Sequence, residues 1–274
     1  MEKTVCITGC SSGIGRATAR AFLDEEWQVY ATARNPGDIA DLAELGCETA
    51  ELDVTNDARI QAIVERIIDE QGRIDCLVNN AGYGQLGPIE DVPVREVERQ
   101  FDANVYGPHR LVREVLPHMR EREEGTIINV SSVVGRVSVP GAGVYSGSKA
   151  ALESMTDALR VEADRFDVDV VLVEPGPVDS AFTERVDSES DDLPRSPEYN
   201  DIYGIIDDTR AIGGGGPGSI PPAEVADWIV HAASATRPDA RYPVGTMAKV
   251  GSLARLAPDG VRDLLFKLAL KIAG

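Results

Sequence analysis

From residue 3 to residue 176 the chain alternates short apolar, β-branched runs with longer amphipathic stretches, and each predicts an element by its period. Thr4–Thr8 (TVCIT) reads as a strand, and Arg16–Leu23 after it has helical composition and spacing. Trp27–Ala33 is a second strand, Asp38–Leu45 a short helix and Glu48–Val54 a third strand. Asp57–Glu70 is the clearest helix, with Ile60, Ile63, Val64, Ile67 and Ile68 along one side. Asp75–Gly82 predicts a fourth strand ending in a polar, small-residue turn, and Val94–Met119 a long helix that Pro108 should disturb. Thr126–Ser132 is a fifth strand, Gly147–Phe166 carries a helix beginning around Tyr145, and Asp169–Gly176 is a sixth strand. Strands separated by helices are joined by crossovers, so the sheet is parallel. The expected fold is α/β: one doubly wound parallel sheet in a single domain over 1–274, helices on both faces, ligands at the carboxyl edge.

Beyond the sixth strand the pattern changes. Residues 179–218 hold a Ser/Asp/Glu-rich run, Pro194, Pro197, a short helix around Glu198–Asp208 and the glycines at 213–216. This segment reads as a substrate lid, since glycine-rich, weakly apolar chain can close over a ligand and exclude water. Pro222–Ala233 predicts a helix with a proline start. Residues 258–274 form a C-terminal helical arm whose Val261, Leu264, Leu265, Leu268, Ala269 and Ile272 fall at helical spacing. Packing on the core or on another subunit, rather than on a membrane, is the expectation for that arm.

Charge narrows the partners. With 46 acidic against 27 basic residues the net charge is −19, and only five residues are lysine. That argues against nucleic acid or an anionic membrane as partner. Self-repulsion of this size is screened within ~3 Å at 1 M salt, which points to a halophilic cytoplasm. No apolar run approaches a membrane span and no secretory leader is visible, so a cytoplasmic protein is expected. Cys6, Cys10, Cys47 and Cys76 show no metal-ligand spacing with one another or with the three histidines, so they read as buried free thiols and no metal is expected.

Two stretches carry chemistry. Gly9-Cys10-Ser11-Ser12-Gly13-Ile14-Gly15 stands between a strand and a helix, where glycines permit tight turning and the helix N-terminus offers N–H groups and a positive dipole to a pyrophosphate. Its G-x-x-x-G-x-G spacing departs from the G-x-G-x-x-G fingerprint. The same residues also satisfy the G-x-S-x-G nucleophile elbow at Ser11, with His231 as a partner, although only one strand precedes it to supply an oxyanion loop. Tyr145-Ser-Gly-Ser-Lys149 sets a phenol and an ammonium one helical turn apart. A cation beside the phenolate favours its charged form and makes tyrosine a usable acid and base.

In this order the residues resemble the short-chain dehydrogenase/reductase family over nearly the whole chain. Thr8-Gly9-x-x-x-Gly13-x-Gly15 matches its cofactor loop, Asp53 its adenine-side acid, and Asn79-Asn80-Ala81-Gly82 its fourth-strand turn. Asn104 falls at the family's helix asparagine, Ser132 lies thirteen residues before Tyr145, and Lys149 completes Tyr-x-x-x-Lys. Pro175-Gly176-Pro177-Val178 matches the turn near the nicotinamide. Arg241–Gly245 looks like the seventh strand of members acting on hydroxysteroids, retinoids and other apolar alcohols.

The resemblance implies a Rossmann-like oxidoreductase that interconverts an alcohol and a ketone or aldehyde with NAD or NADP. It also implies a homodimer or homotetramer built through the helices at 94–119 and 147–166. Within it Tyr145 is the acid/base, Ser132 holds the substrate oxygen, Lys149 lowers the tyrosine pKa and contacts the nicotinamide ribose, and Asn104 anchors a water leading to solvent. Cofactor contacts fall on Gly9, Ser11, Ser12, Gly13, Ile14, Gly15, Arg34, Asp53, Val54, Asn80, Ala81, Gly82, Tyr145, Lys149, Pro175, Gly176 and Val178. NADP is favoured, because Ala33 stands where an NAD enzyme carries an acid and Arg34 follows it. The alternatives are a cofactor-binding regulator without turnover and a nucleotide-sugar epimerase or dehydratase.

Overall fold

Seven strands form one parallel sheet in the order β3-β2-β1-β4-β5-β6-β7. They are β1 (Thr4–Ile7), β2 (Gln28–Ala33), β3 (Glu48–Glu51), β4 (Cys76–Asn79), β5 (Gly125–Val130), β6 (Val168–Pro175) and β7 (Arg241–Val244). This arrangement comes from a computed structural model that describes residues 2–179, 194–207 and 218–273. Helices α1 (Gly13–Asp24), α2 (Ala40–Glu44), α3 (Asp57–Gln71), α4 (Val94–Phe101), α5 (Gly107–Arg122) and α6 (Gly143–Asp164) connect the first six strands. After β6 come α7 (Asn200–Asp207), α8 (Pro222–Ser234), α9 (Thr246–Ala254) and α10 (Asp259–Ala273).

Successive strand residues enter opposite faces of the sheet, and both faces are buried, as a parallel sheet requires. Val5 and Ile7 join Val29, Val78, Ile128 and Val171 under α1 and α8, whereas Cys6 joins Leu77, Ile127 and Val170 under α3 and α5. Of the stripe read from the periodicity of α3, Ile60, Ile63, Val64 and Ile67 are buried in that second layer and Ile68 is partly buried against it. All four cysteines are free and buried.

The chain runs outward from β1 to β3, then crosses back to β4 on the other side of β1. The connections leaving the carboxyl ends of the paired strands β1 and β4 therefore run to opposite sides and leave a crevice at the sheet's centre.

Several expectations change. The stretch Val94–Met119 is not one helix: α4 and α5 are joined by a π-helical turn over Asp102–Tyr106. Pro108 sits in the first turn of α5, directly after that π-helical turn, where the expected disturbance of the helix falls. β3 stops at Glu51, leaving Asp53 and Val54 in the loop at the carboxyl edge. The Pro222 helix and the seventh strand are present, while α9 was not anticipated.

Most of the expected lid lies outside the described residues. Its described part places Tyr203 and Ile206 of α7 against Leu86 and Ala142. The flanks of the segment meet in a parallel bridge between Val178 and Ile220. The C-terminal arm is helical as expected, but Val261, Leu264, Leu265 and Leu268 are exposed rather than packed into the core. No helix among the described residues is long and apolar enough to cross a membrane.

Candidate active site

The glycine loop between β1 and α1 is shaped by what surrounds it. Gly9 and Gly13 take φ of +74° and +56°, a region that costs a side chain dear. Gly15 is required by proximity: a Cβ there would stand 2.3 Å from the Gly9 carbonyl oxygen and 2.5 Å from Asn80 Nδ2. The turn after β4 stitches the loop in place. Asn80 Nδ2 donates to the carbonyls of Thr8 (2.8 Å) and Gly9 (3.1 Å), while the Asn80 and Ala81 amides donate to Thr8 Oγ1. α1 starts at Gly13 with no acidic residue in its first turn and no side-chain cap from Ser12, so its N-terminal dipole faces the crevice uncancelled.

A second group gathers at the carboxyl end of β5 and the start of α6. The Ser132 side chain caps a short 3₁₀ turn, accepting from the Val134 amide, and shares a hydrogen bond with the Tyr145 hydroxyl. Lys149, one turn on, is buried and donates through Nζ to the Val130 carbonyl at 2.8 Å. Its Nζ is 6.0 Å from the centroid of the Tyr145 ring. Burial pushes Tyr145 up to about 12, opposed by the Ser132 hydrogen bond, and pushes Lys149 down to about 8 against the opposing charge of Glu153. Burial is thus the leading influence on Tyr145, while the Lys149 ammonium is aimed at the Val130 carbonyl.

Asn104 stands behind this pair in the π-helical turn. Its Oδ1 accepts from the Tyr83 amide (3.1 Å), and its Nδ2 donates to the Tyr83 carbonyl (2.8 Å) and to Ser148 Oγ (3.1 Å). A Cβ on Gly82 would lie 2.8 Å from Asn104 Oδ1 and 3.8 Å from Lys149 Nζ, so Gly82 stands between the two groups and leaves no room for a side chain. One turn beyond Lys149, buried Glu153 accepts from Ser131 Oγ (2.9 Å) and Arg241 Nη1 (3.1 Å), and Arg241 also binds Glu174 and Asp157. Burial foremost, and the Glu174 charge, hold the Glu153 carboxyl above its ordinary range.

The glycine loop, Ser132, Tyr145 and Lys149 line one cavity of about 640 Å³. Every predicted site residue reaches it except two: Gly15, covered by the Gly9 carbonyl, and Asn104, screened by Gly82. Ser11, Ser12, Ile14, Arg34, Asp53, Val54, Pro175, Gly176 and Val178 border one part with the glycine loop; Asp53 Oδ1 there accepts from the amide and hydroxyl of Thr55. Leu86, Val134, Val139, Ile206, Met247 and Val250 also line the cavity, together with Tyr83, Arg99 and Asp102, and none of these was singled out from the sequence. No histidine lines it; His231 lies on α8 against Trp228 and Tyr242, which removes the hydrolase reading of Ser11.

The glycine cradle and the uncapped α1 N-terminus fit a dinucleotide pyrophosphate, and known proteins agree with the geometry. Residues 3–191 match the family model described as short chain dehydrogenase. Human retinol dehydrogenase 8 is 34% identical over 289 residues, spanning 97% of this protein and 91% of its own length. A short-chain dehydrogenase from Streptomyces avermitilis superposes with a TM-score of 0.82 at 34% identity, covering 97% of this chain and 96% of that one. The closed form of a serine dehydrogenase complexed with NADP+ gives 0.76 at 28% identity, covering 87% and 93%. With a family model matching residues 3–191 and relatives at 34% identity spanning 97% of its length, this chain, with its seven-stranded parallel sheet and glycine loop, is a member of the short-chain dehydrogenase family of oxidoreductases.

Proposed function

We propose that the protein interconverts an apolar ketone or aldehyde and its alcohol using NADP, with NAD as the weaker alternative. The observation that carries this reading is the shared hydrogen bond of Ser132 and Tyr145, with Lys149 beside it, on a cavity that Leu86, Val139, Ile206 and Met247 also line. Reduction of a carbonyl needs two O–H groups converging on one oxygen, and Ser132 and Tyr145 supply them. When bound, the nicotinamide supplies or accepts the hydride.

The chain's own residues do the rest. Tyr145, held near 12, keeps its proton through the neutral range and so acts as the acid in carbonyl reduction. Ser132 holds the substrate oxygen against the tyrosine hydroxyl. Lys149, near 8, remains mostly an ammonium at pH 7 and stabilises the phenolate left behind when Tyr145 gives up its proton. Asn104 fixes the Tyr83 backbone beside Gly82 and keeps that side of the site in shape. The glycine loop would hold the pyrophosphate, Asp53 and Val54 the adenine side, and Pro175, Gly176 and Val178 the nicotinamide side. Arg34, on the rim at the end of β2, would take the 2′-phosphate.

Support for an apolar substrate comes from Leu86, Val139, Ile206 and Met247, and from retinol dehydrogenase 8, whose name states an apolar alcohol. The described part of 179–218 supplies Ile206 to the same cavity, in keeping with a lid over the substrate. Tyr145→Phe tests the reading, because it removes one transferable proton and little volume. Ketone reduction should fall at least ~10²-fold with cofactor binding retained. Turnover within a few-fold of the parent contradicts the assignment.

A further inference from the structure

Charge is unevenly placed along the chain, and the imbalance coincides with a large exposed apolar surface. Three of the five lysines, Lys249, Lys267 and Lys271, fall within residues 246–274. With Arg255 and Arg262 they make five basic residues against Asp259 and Asp263, a net +3, which leaves −22 for residues 1–245.

On α10, Val261, Leu264, Leu265 and Leu268 are between 47% and 61% exposed. Their i, i+3, i+4, i+7 spacing makes them one stripe. By the same period Arg262 flanks the stripe on one side, Lys267 and Lys271 flank it on the other, and Asp259 and Asp263 fall opposite. α9 and its end add Met247, Val250, Leu253 and Leu256, between 50% and 82% exposed. Met247 and Val250 also border the cavity.

We infer that the α9–α10 arm docks on an anionic lipid surface. An apolar stripe bordered by long basic side chains is the arrangement of helices that lie in the plane of a bilayer, stems in the acyl boundary and charged heads among the phosphates. The acidic body does not forbid this, since charges more than ~10 Å from the surface are screened at 0.1 M salt and the arm alone makes contact. A second copy of this chain also offers negative charge. It would, however, cover the rim at Met247 and Val250, whereas a lipid surface leaves that rim continuous with an apolar phase. Docking stands on the arm by itself; its use as a route for substrate into the cavity rests on the function proposed above.

Flotation with vesicles of phosphatidylcholine, with and without phosphatidylglycerol, tests the inference on the full-length chain. The parent should float with the anionic vesicles. At about fivefold in partition per net basic charge, omitting phosphatidylglycerol should lower partition on the order of a hundredfold. Leu264→Asp with Leu268→Asp should lower it at least about tenfold on both vesicles, and Lys267→Glu with Lys271→Glu should abolish the phosphatidylglycerol dependence. Neither pair lines the cavity, so melting temperature and turnover of a small water-soluble ketone should match the parent. A parent that stays in the aqueous layer overturns docking. So does a concentration-dependent dimer, seen by light scattering, that the double aspartate variant dissolves while vesicle binding is absent. A parent that floats yet turns over no ketone upholds docking and counts against the function instead.

Discussion

Arg34→Ala isolates the contact on which cofactor choice turns. Arg34 is exposed at the cavity rim, and among the described residues it has no ion-pair partner, so its guanidinium is available to a phosphate. Arg16, a basic residue in the first turn of α1, differs: its Nη1 lies 2.7 Å from Asp41 and its Nη2 donates to the Asp38 carbonyl at 2.5 Å. A guanidinium on a 2′-phosphate is a charge-assisted contact worth about 1.5–3 kcal/mol. Exposure and salt screen it, which selects the lower end. About 1.4 kcal/mol is tenfold, so kcat/KM with NADPH should fall about tenfold while the NADH value stays unchanged. Initial rates with one ketone and either cofactor, read from the absorbance of the reduced nicotinamide at fixed salt, give the ratio. Arg16→Ala is the control: it should lower the melting temperature and leave the ratio alone. A parent that prefers NADH, or an Arg34→Ala variant with the parent's ratio, refutes the reasoning.

Lys149 predicts a pH limit. Its folded pKa of about 8 lies below the ordinary 10.5, so the ammonium is present below about 8 and lost above it; ketone reduction should decline as pH rises through that value, and a flat profile contradicts the role given to the charge. Between those two values the unfolded chain binds the proton more strongly than the folded one, so this group's contribution to stability rises with pH. Gly15→Ala should destabilise by about 1–3 kcal/mol or more and weaken cofactor binding, given the 2.3 Å approach to the Gly9 oxygen. Gly204→Ala on α7, with nothing within 4 Å of its Cβ, should instead be neutral or stabilise by about 0.5–1 kcal/mol in a thermal melt. With net charge −19, the melting temperature should climb from about 0.1 M to about 2 M KCl; a flat or falling curve removes the halophile reading.

What could be read from the sequence was what repeats or lies close along it. The α3 stripe follows the helical period, the glycine loop is contiguous, and Tyr145 and Lys149 share one turn of α6. Asn104 was legible as a residue but its π-helical turn was not, since an extra residue per turn leaves no trace in a hydrophobic pattern. The aliphatic part of the lining was hidden for another reason: Leu86, Val139, Ile206 and Met247 come from four distant segments that only the tertiary fold assembles. The Glu153–Arg241 contact joins residues 88 apart, and neither strand β7 nor helix α6 betrays it alone. α9 escaped notice because Gly251 and its small neighbours carry weak helical propensity.

The four enclosed cysteines make the molecule its own unfolding clock. Burial raises Cys6 to about 12 and Cys47 to about 11, and Cys10 and Cys76 higher still, so the thiolate that alkylating reagents require is scarce while the sheet is closed. Cys6 and Cys76 belong to the paired central strands β1 and β4, whereas Cys47 precedes the edge strand β3 and is 6% exposed. Labelling at Cys47 therefore times the fraying of the sheet's margin, and labelling at Cys6 and Cys76 times the parting of its centre. Two rates from one alkylation series thus tell whether the sheet opens from its rim inward or all at once, with no probe added to the chain.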